Sequence, residues 1–237
     1  MYVSLGSHRY GTLPMCRSWI RDSGHDTITR PDIAYVVHVV NQFVASPTTI
    51  HWIVVLCILI YLRRTVFQSL LLSSTSFLEL RAYSNVDHGS DPTDRKSVTG
   101  FCIFLGDSFI SWKSKKQSII YQSSNEAEYR AMTSITKEIV WLRWLLAGMR
   151  VFFSHPTSMY CDNQNFIQIA HNSIFHERIK HIEIECHLTR HHLKHDTITL
   201  PFVPSSLQIA DFFTKMHSIS HFRFLVGKLS MLIAAAL

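Results

Sequence analysis

Apolar residues near the front of this 237-residue chain recur at helical spacing. Ile33, Val36, Val37, Val40, Phe43 and Val44 share one face of a 3.6-residue repeat, Pro31 suits a first turn, and Ser46-Pro47 breaks the pattern. Thr48 or Thr49 can cap a second helix through the apolar run 52–62, so residues 31–64 predict an antiparallel helical hairpin. That run ends after 11 residues at Arg63 and Arg64, short of the roughly 20 needed to cross a bilayer, and reads as a buried helix with no membrane role. Residues 1–28 keep no sustained period and carry Gly, Pro and Ser throughout, which predicts poor order.

From Leu78 the period shortens. Leu78–Val86, Val98–Leu105 and Phe109–Lys113 predict strands, with Gly100 and Gly106-Asp107 marking bends or turns. Ser123 and Glu126 form a capping box at the start of a long helix, so Glu126 has a structural job there. Glu128 has no such job. It heads the stripe 128, 131, 132, 135, 139, 142 and 146, which continues as Ala, Met, Ile, Ile, Leu, Leu. A carboxylate on that core-facing stripe must pair with Arg or Lys, hold a proton or bind a cation, because an isolated buried charge is too costly.

A second strand-to-helix junction lies at residues 157–163, where Ser-Met-Tyr-Cys runs into Asp162-Asn163 ahead of Phe166, Ile167, Ile169 and Ala170. Asp162 can serve there as a helix N-cap, or as a ligand-facing acid at the carboxyl end of a strand. Residues 183–195 predict a helix and Thr197–Val203 a strand. Pro204-Ser205-Ser206 then opens a last helix that carries Asp211 among Ile209, Ala210, Phe212 and Phe213.

Composition adds three constraints. A hydrophobic fraction of 47% with 17% charged residues is that of a globular chain able to bury a core. Lys and Arg exceed Asp and Glu by 23 to 17, a net charge of +6 that suits a polyanionic partner. The five cysteines, Cys16, Cys57, Cys102, Cys161 and Cys186, include no CxxC pair. With no secretion signal, they point to a reducing, intracellular setting, cytoplasmic or nuclear. His187 and His191 stand i, i+4 as a metal pair would, but HExxH is absent and no motif supplies a third ligand. With Lys180, Arg190 and Lys194 this run reads as a solvated face that touches phosphates.

Seven strings carry a resemblance that spacing cannot: TRPDIAY (29–35), YSNVDHGSD (83–91), SVTGFCIFLGDSFISWKSKKQ (97–117), SSNEAEYRA (123–131), YCDN (160–163), KHIEIECHL (180–188) and VPSSLQIADFFTK (203–215). Together they resemble the C-terminal end of plant copia-type retrotransposon Pol polyproteins, over about residues 29–232. On this resemblance 29–80 is the tail of the reverse transcriptase, 81–216 its ribonuclease H domain and 217–237 a tail or helix, while 1–28 is unmatched. No Tyr-x-Asp-Asp motif occurs, so the polymerase active site, like the integrase, lies outside this chain.

The resemblance implies an α/β fold, a mixed five-stranded sheet flanked by helices, preceded by the helical hairpin. It also implies a site in which four acids hold two Mg²⁺ ions about 3.5 to 4 Å apart for cleaving the RNA strand of an RNA/DNA hybrid. The helix acid falls on Glu128, the second-strand acid on Asp162 and the last-helix acid on Asp211. The first-strand acid falls on Asn85, where the family's Ser-Asp-Ala-Asp reads Ser84-Asn85-Val86-Asp87. Asn keeps one carbonyl oxygen but loses the charge and the ability to bridge two hard cations, so an impaired or inactive site is expected. Asp87 points to the same side of the strand but roughly 6.5 to 7 Å away, too far to substitute. Lys113, Lys115, Lys116 and Lys180 are the expected phosphate contacts.

Overall fold

The structure, a computed structural model, describes residues 29–87, 95–120, 124–172 and 183–233. The expectations for residues 1–28, the Ser123 cap and Lys180 lie outside them. Two compact units divide the chain: 1–70 with 231–237, and 71–230.

In the first unit a 3-10 turn at Pro31–Ile33 leads into helix α1 (Ala34–Asn41), and α2 covers Thr49–Arg64. Thr48 is the N-cap of α2, and its N–H donates to His51 Nδ1 at 2.9 Å. Ile33, Val37 and Val40 pack on Val55 and Ile58 to form a small core. The Asp32 carboxylate ties the pair together, accepting from the Arg30 guanidinium and from the Tyr61 hydroxyl, each at 2.7 Å. A fully buried α2 is not what forms. Its buried residues are Val55 and Ile58, while Ile53 and Ile60 remain more than half exposed, because α1 is shorter and covers one face. A short antiparallel pair joins β1 (Gln68–Leu70) to Met231–Ile233.

The second unit is built on the expected five-stranded mixed sheet. Its strands are β2 (Leu80–Asp87), β3 (Val98–Leu105), β4 (Ser108–Lys116), β5 (Thr157–Tyr160) and β6 (Ile198–Thr199), in the order β4-β3-β2-β5-β6. β4, β3 and β2 are antiparallel, whereas β5 and β6 continue parallel to β2. Helix α3 (Ser124–Gly148) lays its stripe on one face: Ala131, Met132, Ile135, Ile139 and Leu142 are buried as their spacing requires. They meet Leu80 and Ala82 of β2, Phe101 and Ile103 of β3 and Met159 of β5. Helix α4 (Gln164–His171) adds Phe166, whose ring packs edge-on against Tyr129 at 4.7 Å. Helix α5 (Glu183–Lys194) packs on α3.

Arg190 of α5 does not join a solvated face. It is buried, and its guanidinium donates to the Ile169 carbonyl at 3.0 Å and the Tyr129 hydroxyl at 3.3 Å, stitching α5 to α3 and α4. His191, which stacks near His192 and His195 at 5.2 and 4.1 Å, stays outside that core.

Two further expectations are corrected. The segment carrying Asp211 is not an α-helix but two 3-10 turns, Ser205–Leu207 and Ile209–Phe213, before helix α6 (Ile219–Lys228). All five residues of the second turn are buried, so it has no outward polar face on which an amphipathic α-helix could lie. Gly100 is not a bend but an ordinary strand position opposite Asn85. A Cβ there would come within 2.6 Å of Thr214 Cγ2 and 2.9 Å of Phe213 Cβ, so glycine is what lets the 3-10 turn lie against β3. Gly106, at φ +58°, does make the β3–β4 turn.

Candidate functional site

The turn carrying Asp211 is pinned to the sheet by polar contacts with two strands, β2 and β4. Gln208 Nε2 donates to the Ser84 carbonyl at 3.0 Å, and Ser114 Oγ donates to the Phe213 carbonyl at 2.7 Å. Between them the Asn85 amide nitrogen donates to Asp211 Oδ1 at 2.6 Å and to Thr214 Oγ1 at 2.7 Å. The other Asp211 oxygen, Oδ2, lies 2.7 Å from the Lys215 ammonium, one helical turn on. Burial, the first cause, raises the Asp211 pKa, while Lys215 pulls it back down.

Asn85, Glu128, Asp162 and Lys215 line one open cleft of about 550 Å³, together with Asn163 and Phe202. Asp87 ends β2 opposite Val98, beyond this lining. Asp162 is not the helix N-cap. Asn163 takes that role, its side chain accepting from the Phe166 N–H at 2.9 Å, which leaves the Asp162 carboxylate to accept from Ser205 Oγ at 2.8 Å. Glu128 is buried, Oε2 has no hydrogen-bond partner, and no Lys or Arg among the described residues forms an ion pair with it. Desolvation, then repulsion from Asp162, pushes its pKa up to about 8, against a smaller lowering by the Asn163 side chain. Burial and the neighbouring Asp162 thus favour the neutral carboxyl of Glu128 over a bare carboxylate.

The four family positions therefore do come together, but not as a two-metal site. Two hard cations need several anionic oxygens converging on them. Here both Asp211 oxygens are taken by N–H donors, and Asn85 presents its amide nitrogen to Asp211 in place of a carboxylate. Among the described residues no three His, Cys, Asp or Glu side chains form a metal-holding group. Mg²⁺ in pairs does not fit these residues as they stand.

A second feature lies at the sheet's free edge. Lys113, Lys115 and Lys116 of β4 surround a notch of about 160 Å³ with Arg130 and Ser134 of α3 and Thr99 of β3. Thr99 pairs with both Lys115 and Val86, so the notch stands two strands from the cleft, roughly 10 Å at 4.8 Å per strand.

Lys215, Thr214, Asn163 and Ser205 were not singled out in the sequence. Only Lys215 left a signal there, the i, i+4 spacing from Asp211 that places opposite charges together on one helical turn.

The strand order β4-β3-β2-β5-β6, with Glu128 of α3, Asp162 after β5 and Asp211 of the 3-10 turn lying around Asn85 of β2, is that of a ribonuclease H-like α/β fold. The chain is 36% identical over 187 residues to the retrovirus-related Pol polyprotein from transposon RE2 of Arabidopsis thaliana, covering 79% of this chain and 13% of that protein. It is also 36% identical over 203 residues to that of transposon RE1 of the same plant, 86% of this chain and 14% of the relative. The chain is thus homologous to a segment of the retrovirus-related transposon Pol polyproteins of plants, and spans only 13–14% of the length of these relatives. Ribonuclease H1 of Halobacterium salinarum matches in structure with a TM-score of 0.41 at 15% identity, over 57% of this chain and 94% of that one. No protein-family model matches. Among the described residues no helix is long and apolar enough to cross a membrane.

Proposed function

We propose that residues 81–216 are a hybrid-binding ribonuclease H domain whose cleavage of the RNA strand is impaired or lost, with residues 29–80 the tail of the polymerase that preceded it. Polymerase and integrase parts of the parent polyprotein are the further partners this reading implies.

One observation carries the impairment: Asp211 is held by the Asn85 amide at 2.6 Å and the Lys215 ammonium at 2.7 Å. An internal amide and an internal cation satisfy the carboxylate that a metal pair would share. Glu128 and Asp162 line the same cleft as Asn85, which supports reading them as the remaining acids of that site. The β4 lysines Lys113, Lys115 and Lys116, gathered with Arg130 around one notch, favour a strand of phosphates beside that cleft.

The test is Mg²⁺-dependent cleavage of a labelled RNA/DNA hybrid by the chain and by Asn85→Asp. Little or no cleavage by the chain and strong gain in the variant is the expected result. Efficient cleavage by the unchanged chain would overturn the reading.

A further inference from the structure

The opposite end of β2 builds a second cavity that shares no lining residue with the acidic cleft. Leu80 and Ala82 enter the core under α3, so by strand alternation Arg81 and Tyr83 emerge on the other face of the sheet. There β3 and β5 supply the neighbours: Phe104 is the ladder partner of Arg81, and Tyr160 that of Tyr83. The two tyrosine rings are nearly parallel, 17° apart in plane with centroids 4.8 Å apart, and Phe104 meets Tyr83 edge-on at 6.0 Å. From α6, Phe224 and Lys228 close the opposite wall, the ammonium 5.5 Å from the ring centroid.

The result is a cavity of about 420 Å³, within the size range of small-molecule sites. Its chemistry is of two kinds. Aromatic and aliphatic walls, including Ile209, offer a flat surface to a planar ring. Around them stand two cations, Arg81 and Lys228, against one acid, Asp107, whose carboxylate lies 3.5 Å from the Arg81 guanidinium and is mostly exposed. Arg81 spends one nitrogen on the Gly106 carbonyl at 2.7 Å and carries five N–H donors in all. Burial raises the Tyr83 pKa, so its hydroxyl remains a donor at neutral pH.

We infer that this cavity binds a nucleotide, its base against the Tyr83–Tyr160 stack and its phosphate between Arg81 and Lys228. A planar ring joined to a phosphate is the ligand class that uses both halves of the site. An apolar ligand would leave the cations uncompensated, and a bare anion would leave the aromatic wall uncovered. The ligand is either a free nucleotide or one nucleotide of a single strand, since bases of any sequence stack on such rings while the backbone follows positive charge.

The experiment is calorimetric titration of the whole chain with adenosine 5′-monophosphate, adenosine, inorganic phosphate and a hexadeoxyadenylate strand. Saturable binding of the monophosphate at one site is expected, with adenosine and phosphate each weaker by about tenfold or more. Tyr160→Leu and Lys228→Gln should each weaken monophosphate binding several-fold, while Lys137→Gln on the exposed side of α3 leaves it unchanged. Lys228 lies at the end of a surface helix, so its variant tests the site even if Tyr160→Leu disturbs the fold. A strand that binds and is displaced by the monophosphate marks the strand as the source, and one that does not compete marks the free nucleotide. The inference is overturned if the monophosphate does not saturate, if phosphate alone binds as well, or if both folded variants bind it unchanged.

Discussion

The Asn85 amide nitrogen and the Asp211 carboxylate oxygen are 2.6 Å apart, a neutral donor meeting an acceptor where the family sequence would place two acids. Two carboxylates at that distance repel unless a cation or proton lies between them. Asn85→Asp should therefore lower the melting temperature without metal and restore a rise on adding millimolar Mg²⁺, as a ligand of the native state must. Hybrid cleavage should increase by orders of magnitude. Adding Lys215→Ala should increase the metal response further by removing the competing ammonium. A double variant with neither cleavage nor a metal-dependent melting shift would place the defect elsewhere.

Glu128 makes stability depend on pH. Its folded pKa of about 8 lies above the ordinary 4.5, so between those values the native state binds more protons than the unfolded chain. Stability should then fall as pH rises from about 4.5 to about 8, and this contribution should level off above, with an upper bound on the order of 5 kcal/mol. Glu128→Gln, which needs no proton to stay neutral, should flatten that slope and melt higher than the parent at pH 8.5. Thermal melts across pH 5 to 9 check this; identical slopes in the two proteins would refute it.

Hybrid binding should be strongly salt-dependent. Each phosphate contact contributes roughly 0.9 to the slope of log affinity against log salt, through counterion release. Replacing Lys113, Lys115 and Lys116 together by Gln should reduce that slope by about 2 to 3 and leave the melting temperature nearly unchanged, since Lys113 and Lys115 are exposed. Fluorescence anisotropy between 50 and 200 mM salt, on the order used for such slopes, measures it. An unchanged slope would remove this edge from the nucleic-acid surface.

Gly100 is the packing test. Gly100→Ala places a methyl group 2.6 Å from Thr214 Cγ2 and 3.0 Å from the Ala210 carbonyl oxygen, neither of which can give way without moving the buried turn. A loss of about 1 to 3 kcal/mol is expected, the usual cost of overpacking. Denaturant unfolding would show it, and a neutral substitution would mean that the turn does not lie against β3.

Most of the framework was legible along the chain because it rests on local periodicity. The α3 stripe from Glu128 to Leu142 reports a buried face, while the short apolar runs of β2 and β3 and the Pro31 and Thr48 boundaries report where elements lie. Family motifs added the positions Asn85, Glu128, Asp162 and Asp211, which local pattern could not connect across 126 residues.

What the linear pattern could not decide was settled by which elements touch. Arg190 looked like one more cation on a polar helix until α3 and α4 closed over it. Asp162 and Asn163 were equally good caps by residue type, and the path of the backbone into α4 chose Asn163. The same holds at the site itself. The sequence alone determined that the first acid is an amide, because that is a matter of composition at one position. Only the tertiary structure decided that the amide and Lys215 take both oxygens of Asp211, because that depends on a glycine in β3 letting a buried 3-10 turn come within hydrogen-bonding reach of β2.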